Sequence, residues 1–591
     1  MVCGGRAMAE RLTSHPDVAK VDFCGSTLVG QSIRKATAGT GKGITLQMSG
    51  KSPNIIFEDA DLDGAIEGIM DAIFRNQGQI CSAGSRLLVQ ESIAEKFFAK
   101  IRRRMSTIRI STSLDKSIDM SAVLAGTARI QRLVDTARAE GADVWQPDIE
   151  IPETGDFWVP TLITNVGPTS TVVQNEIFGP VVAAMTFRDA KDAVELANNQ
   201  RYGLGSGVWS ENISLALDVA HQIRAGMVWV NCYNMFDATG PFGGRKETGY
   251  GRQGGQEGLM NYVKPKWMPF DKHDWTERLS DFAAALEKWS TRQFGIIDEN
   301  DVPFGNPALV VDKSPKLYIS GKQVAASSNY VYQCRTPTGE VIGQIAESTS
   351  GDVAKAIDAA HKAAPGWAKT APHMRGQLLF DMAENLSYRV EEFAKRIHIM
   401  TGRTMESCTA EVEKAIERLF TYASWADKWG GRVQEVPVYG LTVTVNDPIG
   451  VIGIVCPEEY PLLGFVSSFA PAVARGNAVV VVPSEAHPLS ATDMFQIFDT
   501  TSVPAGVINV VTGGQAQASR VIAAHEDLTM IWHFGDAESA FFVEYLAHDN
   551  CKRTWCAHGV QRDWMDNEQG EGLEFLHESV EYKTIWMPAG I

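Results

Sequence analysis

Cys81 is the first residue of this sequence that could perform chemistry. It lies in the segment NQGQICSAGSR, residues 76–86, among small and amide residues with no charged side chain before Arg86. A cysteine can act as a nucleophile because a few per cent of it is thiolate at neutral pH. Free cysteine is also one of the residue types most often buried, so the alternative is a small hydrophobic side chain in the core. This segment alone does not decide between the two roles.

A glycine-containing turn is the second candidate. The apolar run VAKVDF leads into FCGSTLVG, residues 23–30, which reads as a strand end, a turn and the start of a helix. Backbone N–H groups at a helix N-terminus bind phosphate or pyrophosphate. Three further segments combine glycine with polar residues beside apolar runs: LQMSGKSP (46–53), NEIFGPVV (175–182) and PFGGRKETGYGR (241–252). Each of them, taken alone, is more typical of a turn than of a site.

Short apolar runs alternate with amphipathic segments along the chain. SPNIIFE, residues 52–58, is typical of a strand, and DLDGAIEGIMDAIFRN, residues 61–76, has apolar residues at helical spacing. RLLVQ and SIAEKFFAKIRRRM repeat the same pair further along. This alternation predicts an α/β fold with a mostly parallel sheet covered by helices.

The composition restricts the class of protein. A chain of 591 residues is too long for one core, so roughly two to four domains are expected. The net charge of −17 argues against nucleic acid or an anionic membrane surface as a partner. Nine cysteines without a CxxC pair are typical of free thiols, and no metal site is predicted. With no signal peptide and no apolar run long enough to span a bilayer, we expect a soluble, cytoplasmic protein.

One internal similarity predicts two related modules. HPDVAKVDFCG, residues 15–25, and HEDLTMIWHFG, residues 525–535, share His, Asp and Gly in register, and their apolar positions agree. A long segment, residues 316–504, comes before this similarity in the second module, and the first module has no counterpart of it in this sequence. We therefore expect a first module without its N-terminal part and a second, related one.

Taken in order, the motifs closely resemble one family. GSTxxVG, LxxxGKSP, NQGQxCxAGSR, EIFGPV and PFGGxKxxGxGR follow one another over residues 2–265 as in the aldehyde dehydrogenase superfamily. The second module resembles the N-terminal half of the same family, from KLYISGKQV to VPAGVINVVTGG. The combination is similar to aldehyde dehydrogenase family 16, the two-module type with a truncated C-terminal copy, in an N-terminally shortened form.

The resemblance implies a fold and a division of the chain. The expected fold is α/β, with a parallel Rossmann-type NAD-binding sheet, an α/β catalytic domain and a second, partial aldehyde dehydrogenase-like module. The expected parts are the end of the NAD-binding domain (1–47), the catalytic domain (48–245), a bridging and oligomerisation segment (246–270), a linker (271–315) and the second module (316–591). It also implies a homodimer, with residues 258–267 as the dimerisation segment.

The resemblance places Cys81 at the family's nucleophile. Its thiolate would attack an aldehyde carbonyl, hydride would leave to NAD or NADP, and water would hydrolyse the thioester to a carboxylic acid. Glu176 matches the glutamate that bonds the nicotinamide ribose, and Phe178 matches the aromatic residue beside it. The cofactor-side turn is matched by Gly25, Ser26 and Gly30.

Several positions depart from the family pattern. Gln47 stands at the position of the general-base glutamate, and an amide cannot take a proton from water at neutral pH. Gln253 replaces a second glutamate, and Ser49 replaces a glycine. The family's upstream segment, with its oxyanion-hole asparagine and cofactor lysine, is not matched in the first module. We expect acylation of Cys81 to be better preserved than hydrolysis of the acyl group.

The second module is expected to keep the fold and to have lost the site. Glu458 and Glu459 occupy the positions of the oxyanion-hole motif, Val482 replaces the cofactor lysine, and Asp536 lies at the phosphate position. Carboxylates at these places repel an oxyanion or a phosphate.

Three functions stay open from the sequence. The chain is an NAD(P)⁺-dependent aldehyde dehydrogenase, a catalytically impaired scaffold or interaction protein of the same fold, or a Cys81 thioesterase or acyl carrier without redox chemistry. Cofactor-dependent turnover separates the first from the other two.

Overall fold

The computed structural model describes residues 3–124, 126–269, 275, 279–291, 314–437 and 439–588. In these ranges the strands are β1 Lys20–Cys24, β2 Gly43–Gln47, β3 Pro53–Ile56, β4 Arg86–Gln90, β5 Asp143–Trp145, β6 Thr161–Thr164, β7 Val181–Phe187, β8 Tyr202–Gly203, β9 Gly207–Trp209, β10 Met227–Val230, β11 Arg245–Lys246, β12 Leu317–Ile319, β13 Lys322–Val324, β14 Val331–Arg335, β15 Val341–Ala346, β16 Arg432–Gln434, β17 Gly440–Pro448, β18 Val451–Val455, β19 Ala478–Val482, β20 Ile508–Val510, β21 Met530–His533, β22 Arg553–Cys556 and β23 Val580–Pro588.

The helices lie mainly between these strands. The α-helices are Arg6–Ser14, Thr27–Thr37, Leu62–Phe74, Ala94–Met105, Ala128–Ala139, Thr171–Gln174, Ala190–Asn198, Ile213–Gln222, Gly255–Met260, Phe282–Ser290, Ser350–Lys369, Pro372–Ser387, Val390–Thr401, Met405–Trp425, Leu463–Ala474, Leu489–Asp493, Phe495–Thr500, Gln515–Ala524, Ala537–Leu546, Asn567–Glu571 and Glu574–His577. Arg75–Gly78 and Glu91–Ile93 are 3₁₀ turns. The described helices include none that is long and apolar enough to cross a membrane.

Two large sheets organise the molecule. A ten-stranded sheet has the order β16-β17-β23-β10-β9-β3-β4-β7-β6-β5, and a seven-stranded sheet has the order β13-β12-β20-β19-β18-β21-β22. From β23 to β6 each neighbouring pair of the first sheet is parallel, as are all pairs from β20 to β22 in the second. The predicted α/β fold with parallel sheets is confirmed.

The centre of the ten-stranded sheet is buried on both faces. Ile56 and Leu87 pack in one hydrophobic cluster, and their chain neighbours Ile55 and Leu88 pack in the cluster on the opposite side. Successive strand residues point to opposite faces, so a strand covered by helices on both sides must be apolar throughout. This is why SPNIIFE and RLLVQ form central strands.

Strands from the second half of the chain complete the first sheet. β23 pairs in parallel with β10, with Met227 opposite Thr584, and β17 pairs antiparallel with β23. Near the end of the chain, β23 buries Ile585 and Trp586 in the two opposite clusters of this sheet. The segment 258–267, expected for dimerisation, contains the end of the helix Gly255–Met260 and no strand.

The residues before the ten-stranded sheet form a small separate unit. β1 and β2 make a two-stranded parallel sheet, joined by the helix Thr27–Thr37. This helix contacts the helix Ala537–Leu546, where the Arg34 guanidinium lies 3.2 Å from the Glu544 carboxylate. The alignment that matches His15 with His525 also matches the register pair Lys20–Gly43 of β1–β2 with Met530–Arg553 of β21–β22.

The predicted linker over residues 271–315 lies mostly outside the described residues. Its described part includes the helix Phe282–Ser290, capped by Asp281. Phe282 packs on Tyr545, with ring centroids 3.8 Å apart.

An ion-pair cluster ties β17 and β23 to the first half of the chain. The Asp447 carboxylate lies 2.9 Å from the Arg245 guanidinium and 2.8 Å from the Lys583 ammonium. Burial opposes its ionisation, but Lys583 and Arg245 hold the pKa of Asp447 below its ordinary value. The carboxylate is therefore charged at neutral pH and offsets two cations.

We expect Asp447→Asn to lower the free energy of unfolding by about 3 kcal/mol, since it leaves the buried Lys583 without its counter-charge. Urea unfolding followed by tryptophan fluorescence measures the change. Glu195→Gln, which breaks the exposed Lys191–Glu195 pair, is the matched control and should stay within about 0.5 kcal/mol. Equal effects of the two variants would contradict the role assigned to Asp447.

Candidate active site

The glycine turn after β1 lies directly beside Gln47. The Gly25 N–H donates to the Gln47 carbonyl at 3.1 Å, and the Ser26 hydroxyl caps the next helix by accepting from the Val29 N–H at 3.4 Å. A Cβ at Gly30 would overlap the Met48 side chain. Two of the three turn residues predicted for the cofactor, Gly25 and Gly30, therefore pack against the end of β2 and the residue after it, while Ser26 caps the helix.

The loop before Cys81 has an unusual backbone. Asn76, Gln77 and Gly78 have φ values of 50°, 56° and 69°, three successive residues in the left-handed region. Such strain persists where surrounding contacts enforce it, and it is common at functional sites. Gly78 packs on the carbonyl of Gly179, which a Cβ at position 78 would overlap. The loop that leads to Cys81 is thereby fixed against the loop that follows Glu176.

The other side of Cys81 is held by the segment 49–52. A Cβ at Gly50 would overlap the Cys81 carbonyl oxygen, so the two backbones lie in direct contact. The buried Tyr233 hydroxyl donates to the Ser82 carbonyl at 2.7 Å. Arg86 donates to the Lys51 carbonyl at 3.3 Å and fixes this segment to β4. A small residue at position 50 is therefore a steric requirement.

Glu176 reaches the same segment from the opposite loop. Its carboxylate Oε1 accepts from the Gly50 N–H at 3.3 Å, and its backbone carbonyl accepts from Arg129 at 2.6 Å. Phe178, two residues further on, has a φ of 58° and leaves 37% of its surface exposed. The structure thus brings Cys81, Glu176 and the base-position strand together around Gly50.

The thiol of Cys81 is not activated in this state. Burial, followed by the charges of Cys24 and Glu176, raises its pKa to about 12, although the backbone N–H groups of Ser82 and Cys81 lower it. The thiol is therefore protonated at neutral pH. Burial also raises the pKa of Glu176, while Ser49, Gly50 and nearby cations oppose the shift.

The two glutamines occupy different environments. Gln47 is 4% exposed and ends β2 beside Gly25, and it has no proton-accepting carboxylate to offer. The Gln253 amide donates to the Asp22 carboxylate at 3.1 Å, and the Tyr262 hydroxyl donates to the other oxygen at 2.7 Å. Gln253 is thus engaged at the edge of β1.

Sequence reasoning missed four residues that shape this site: Cys24, Gly50, Lys51 and Arg129. Cys24 pairs in register with Gln47, and its thiol acts on the pKa of Cys81. Lys51 is buried, and burial together with Arg86 lowers its pKa to about 7. The segments FCGST and SGKSP carried the first three of these residues, but Arg129 lies in an ordinary helix with no local signal.

Residues between Cys456 and Trp564 line a cavity of about 280 Å³, far along the chain from Cys81. It lies after β18 and β21, where the strand order reverses and parallel sheets commonly bind ligands. Glu458 accepts from the Glu485 and Ala486 N–H groups at 2.9 and 3.1 Å, and Asp536 accepts from the Ser539 N–H at 2.7 Å. The chain's own carboxylates occupy donors that a phosphate would need.

No group of three or more residues able to hold a metal ion occurs within the described ranges. All nine cysteines are free thiols.

Comparisons with known proteins agree with the motif order. Residues 1–268 and 324–565 match the model of the aldehyde dehydrogenase family. An aldehyde dehydrogenase of Agaricus bisporus is 39% identical over 265 residues, 44% of this chain and 53% of that protein. Betaine aldehyde dehydrogenase of Bacillus subtilis is 35% identical over 268 residues, 44% of this chain and 55% of that protein.

Among solved structures, betaine aldehyde dehydrogenase of Staphylococcus aureus in complex with NAD⁺ is 37% identical. The match covers 43% of this chain and 52% of that chain, with a TM-score of 0.42. The chain spans about half the length of the curated relatives it matches.

We expect the alkylation of Cys81 by iodoacetamide to accelerate about tenfold per pH unit up to at least pH 10, because only the thiolate reacts and the pKa lies near 12. Peptide mass mapping of Cys81 in the chain without cofactor measures the rate. Cys24→Ser is the matched variant, which removes a neighbouring group that raises the pKa. A plateau below pH 9 would contradict a buried, protonated thiol.

We expect Gly78→Ala to destabilise the chain more than Gly141→Ala. Both residues have positive φ, which costs a side-chain-bearing residue about 1–2 kcal/mol. A Cβ at Gly141 meets no atom within 4 Å, whereas at Gly78 it overlaps Gly179 and adds about 1–3 kcal/mol. Thermal unfolding of the two variants measures the loss of stability. Equal losses of stability would mean that the contact between the Gly78 and Gly179 loops is loose.

Proposed function

The chain belongs to the aldehyde dehydrogenase family, and from this premise we propose that it oxidises an aldehyde to a carboxylic acid with NAD(P)⁺, through a covalent adduct on Cys81. The observation that carries the proposal is the convergence of Cys81, Glu176 and the Gly25 turn around the segment 47–50. These residues lie far apart in sequence, and their loops are fixed to one another by backbone contacts. Substrate class and turnover are part of the proposal.

The residues of the turn fit a dinucleotide. The Thr27 hydroxyl is buried without a hydrogen-bond partner among the described residues, at the N-terminus of the helix Thr27–Thr37. Leu28 and Val29 expose 76% and 47% of their surface beside it and offer an apolar face to a base. When bound, the cofactor supplies the hydride acceptor. Ser26 and the helix N-terminus would hold its phosphates, and Glu176 and Phe178 its nicotinamide half.

In the proposed reaction Cys81 is the nucleophile. Its thiol must lose a proton as the sulfur bonds to the aldehyde carbon, which gives a thiohemiacetal. The Ser82 N–H, which already acts on the thiol, is placed to stabilise negative charge on sulfur or on the oxyanion. After hydride has left, a thioester on Cys81 must be hydrolysed by water. Gln47 cannot accept the proton of that water, so we expect acylation to be faster than hydrolysis.

We further propose that the chain is of the two-module type, with residues 316–591 as a partial, non-catalytic copy. The separate family match over 324–565 and the shared helix–strand–helix–strand order of residues 6–47 and 515–556 support this. The occupied donors around Glu458 and Asp536 support loss of the cofactor site there. The expected homodimer stays a prediction.

We expect a short aliphatic aldehyde and NAD⁺ to give a burst of NADH close to one equivalent of protein, followed by a steady rate at least about tenfold slower. Absorbance at 340 nm follows NADH, intact mass follows the adduct, and Cys81→Ala abolishes both. A steady rate equal to the burst rate would contradict slow hydrolysis. Absence of both NADH and adduct on the folded chain would favour the scaffold, and acylation without NADH would favour the thioesterase.

A further inference from the structure

The proposed reaction needs a proton acceptor for the hydrolytic water, and this inference rests on that proposed function. Both carboxylates expected from the resemblance are glutamines here, and Gln253 is engaged with Asp22. If acyl-Cys81 is hydrolysed at all, another group beside the thioester must take the proton. The groups that act on the pKa of Cys81 show which ionisable side chains are near enough.

Cys24 and Glu176 are the main charged influences on the pKa of the Cys81 thiol, and the buried Tyr233, which also interacts with Cys81, has a raised pKa and stays protonated. Cys24 is a poor base because burial, Asp22 and Glu176 raise the pKa of its own thiol, which leaves it protonated at neutral pH. Lys51 interacts with Glu176 and Arg86, and it is not a main influence on the Cys81 thiol. Glu176 is therefore the remaining carboxylate at the nucleophile.

Gly50 joins Glu176 to Cys81. Its N–H donates to Glu176 Oε1 at 3.3 Å, and its α-carbon lies against the carbonyl oxygen of Cys81. The carboxylate is thus held beside the main chain of Cys81. The Ser49 hydroxyl also bonds to the Glu176 carboxylate, so Gly50 and Ser49 together fix its orientation.

We propose that Glu176 is the general base that hydrolyses acyl-Cys81 in this chain, at the site that Gln47 cannot serve. The carboxylate takes one proton from the water as its oxygen bonds to the thioester carbon. The carbon–sulfur bond then breaks, and the acyl group leaves as a carboxylic acid. The protonated Glu176 returns its proton to the Cys81 thiolate. One water is consumed, no oxidant is needed, and both side chains are restored.

The surroundings of Glu176 suit this role. Burial raises its pKa, which makes the carboxylate a stronger base than an exposed glutamate. Ser49, the Gly50 N–H, Arg129 and Lys51 act in the opposite direction and limit that rise. Ser49 occupies the position where the resemblance expects a glycine, so the same substitution that departs from the family pattern also tunes this carboxylate.

The test uses an activated ester, because Glu176 is also expected to contact the cofactor. 4-Nitrophenyl acetate acetylates a cysteine without NAD⁺ and releases nitrophenolate, so any effect on cofactor binding drops out. Acetyl-Cys81 is trapped at timed intervals and measured by intact mass and peptide mapping. Cys81→Ala identifies the adduct.

We expect Glu176→Gln to keep the nitrophenolate burst and to slow the decay of acetyl-Cys81 by about 100-fold or more. Glu211→Gln changes an exposed carboxylate on the same half of the chain and is the matched control. In this variant acetyl-Cys81 should decay at the parent rate. Adding Gln47→Glu to Glu176→Gln should restore at least about a tenth of the parent decay rate, since it returns a carboxylate to the neighbouring strand.

The pH profile separates a base from a structural residue. The decay rate should rise with pH as Glu176 ionises and then level. Ser49→Gly removes a contact that lowers the pKa of Glu176, so it should move the midpoint to higher pH and leave the plateau height nearly unchanged.

Two results would overturn the inference: parent-like decay of acetyl-Cys81 in Glu176→Gln, or a Ser49→Gly midpoint that does not move. Either leaves the nucleophile proposal intact if the adduct forms on Cys81. If no variant forms an adduct, the proposal of Cys81 as the nucleophile fails together with the inference.

Discussion

The contact between Gly50 and the Cys81 carbonyl is the constraint on which the candidate site depends. It lets the segment after β2 lie against the backbone of Cys81 without an intervening side chain. Through its N–H the same glycine also fixes the Glu176 carboxylate. The strained turn at residues 76–78 and the loop at 175–180 close the arrangement from the other side. Three loops thus share one small volume, and none of them could shift without breaking a backbone contact.

This close packing sets the pKa of both Cys81 and Glu176. Burial positions the thiol but raises its pKa, because a thiolate is poorly solvated there. The same burial strengthens Glu176 as a base. A substrate or a cofactor that brings positive charge or new donors would lower the pKa of both groups, which activates the Cys81 thiol and weakens Glu176 as a base. The chemistry of the chain is therefore tied to what occupies the space beside Gly50.

The second half of the chain supplies strands and charged side chains that pack against the first half. β17 and β23 lie beyond β10 in the ten-stranded sheet. Asp447 pairs with cations from both halves of the chain, Arg245 and Lys583. Around its own cavity, Glu458 and Asp536 occupy backbone donors at turns and a helix start. Such carboxylates satisfy the N–H groups locally and stabilise the fold while excluding an anionic ligand.

The sequence by itself determined the fold class, the order of the motifs and the identity of Cys81, Glu176 and Gln47 as the residues to examine. The periodicity of apolar residues and the composition predict which helices and strands form, and the order of the motifs indicates the family. These features therefore needed no coordinates. Only the tertiary structure decided that Gly50 joins Cys81 to Glu176, that Arg129 holds the Glu176 backbone, and that β23 completes a sheet begun more than half the chain earlier. The same holds for the protonated state of Cys81. These are consequences of contacts between residues distant in sequence, and the desolvation that sets a pKa depends on every atom packed around the group.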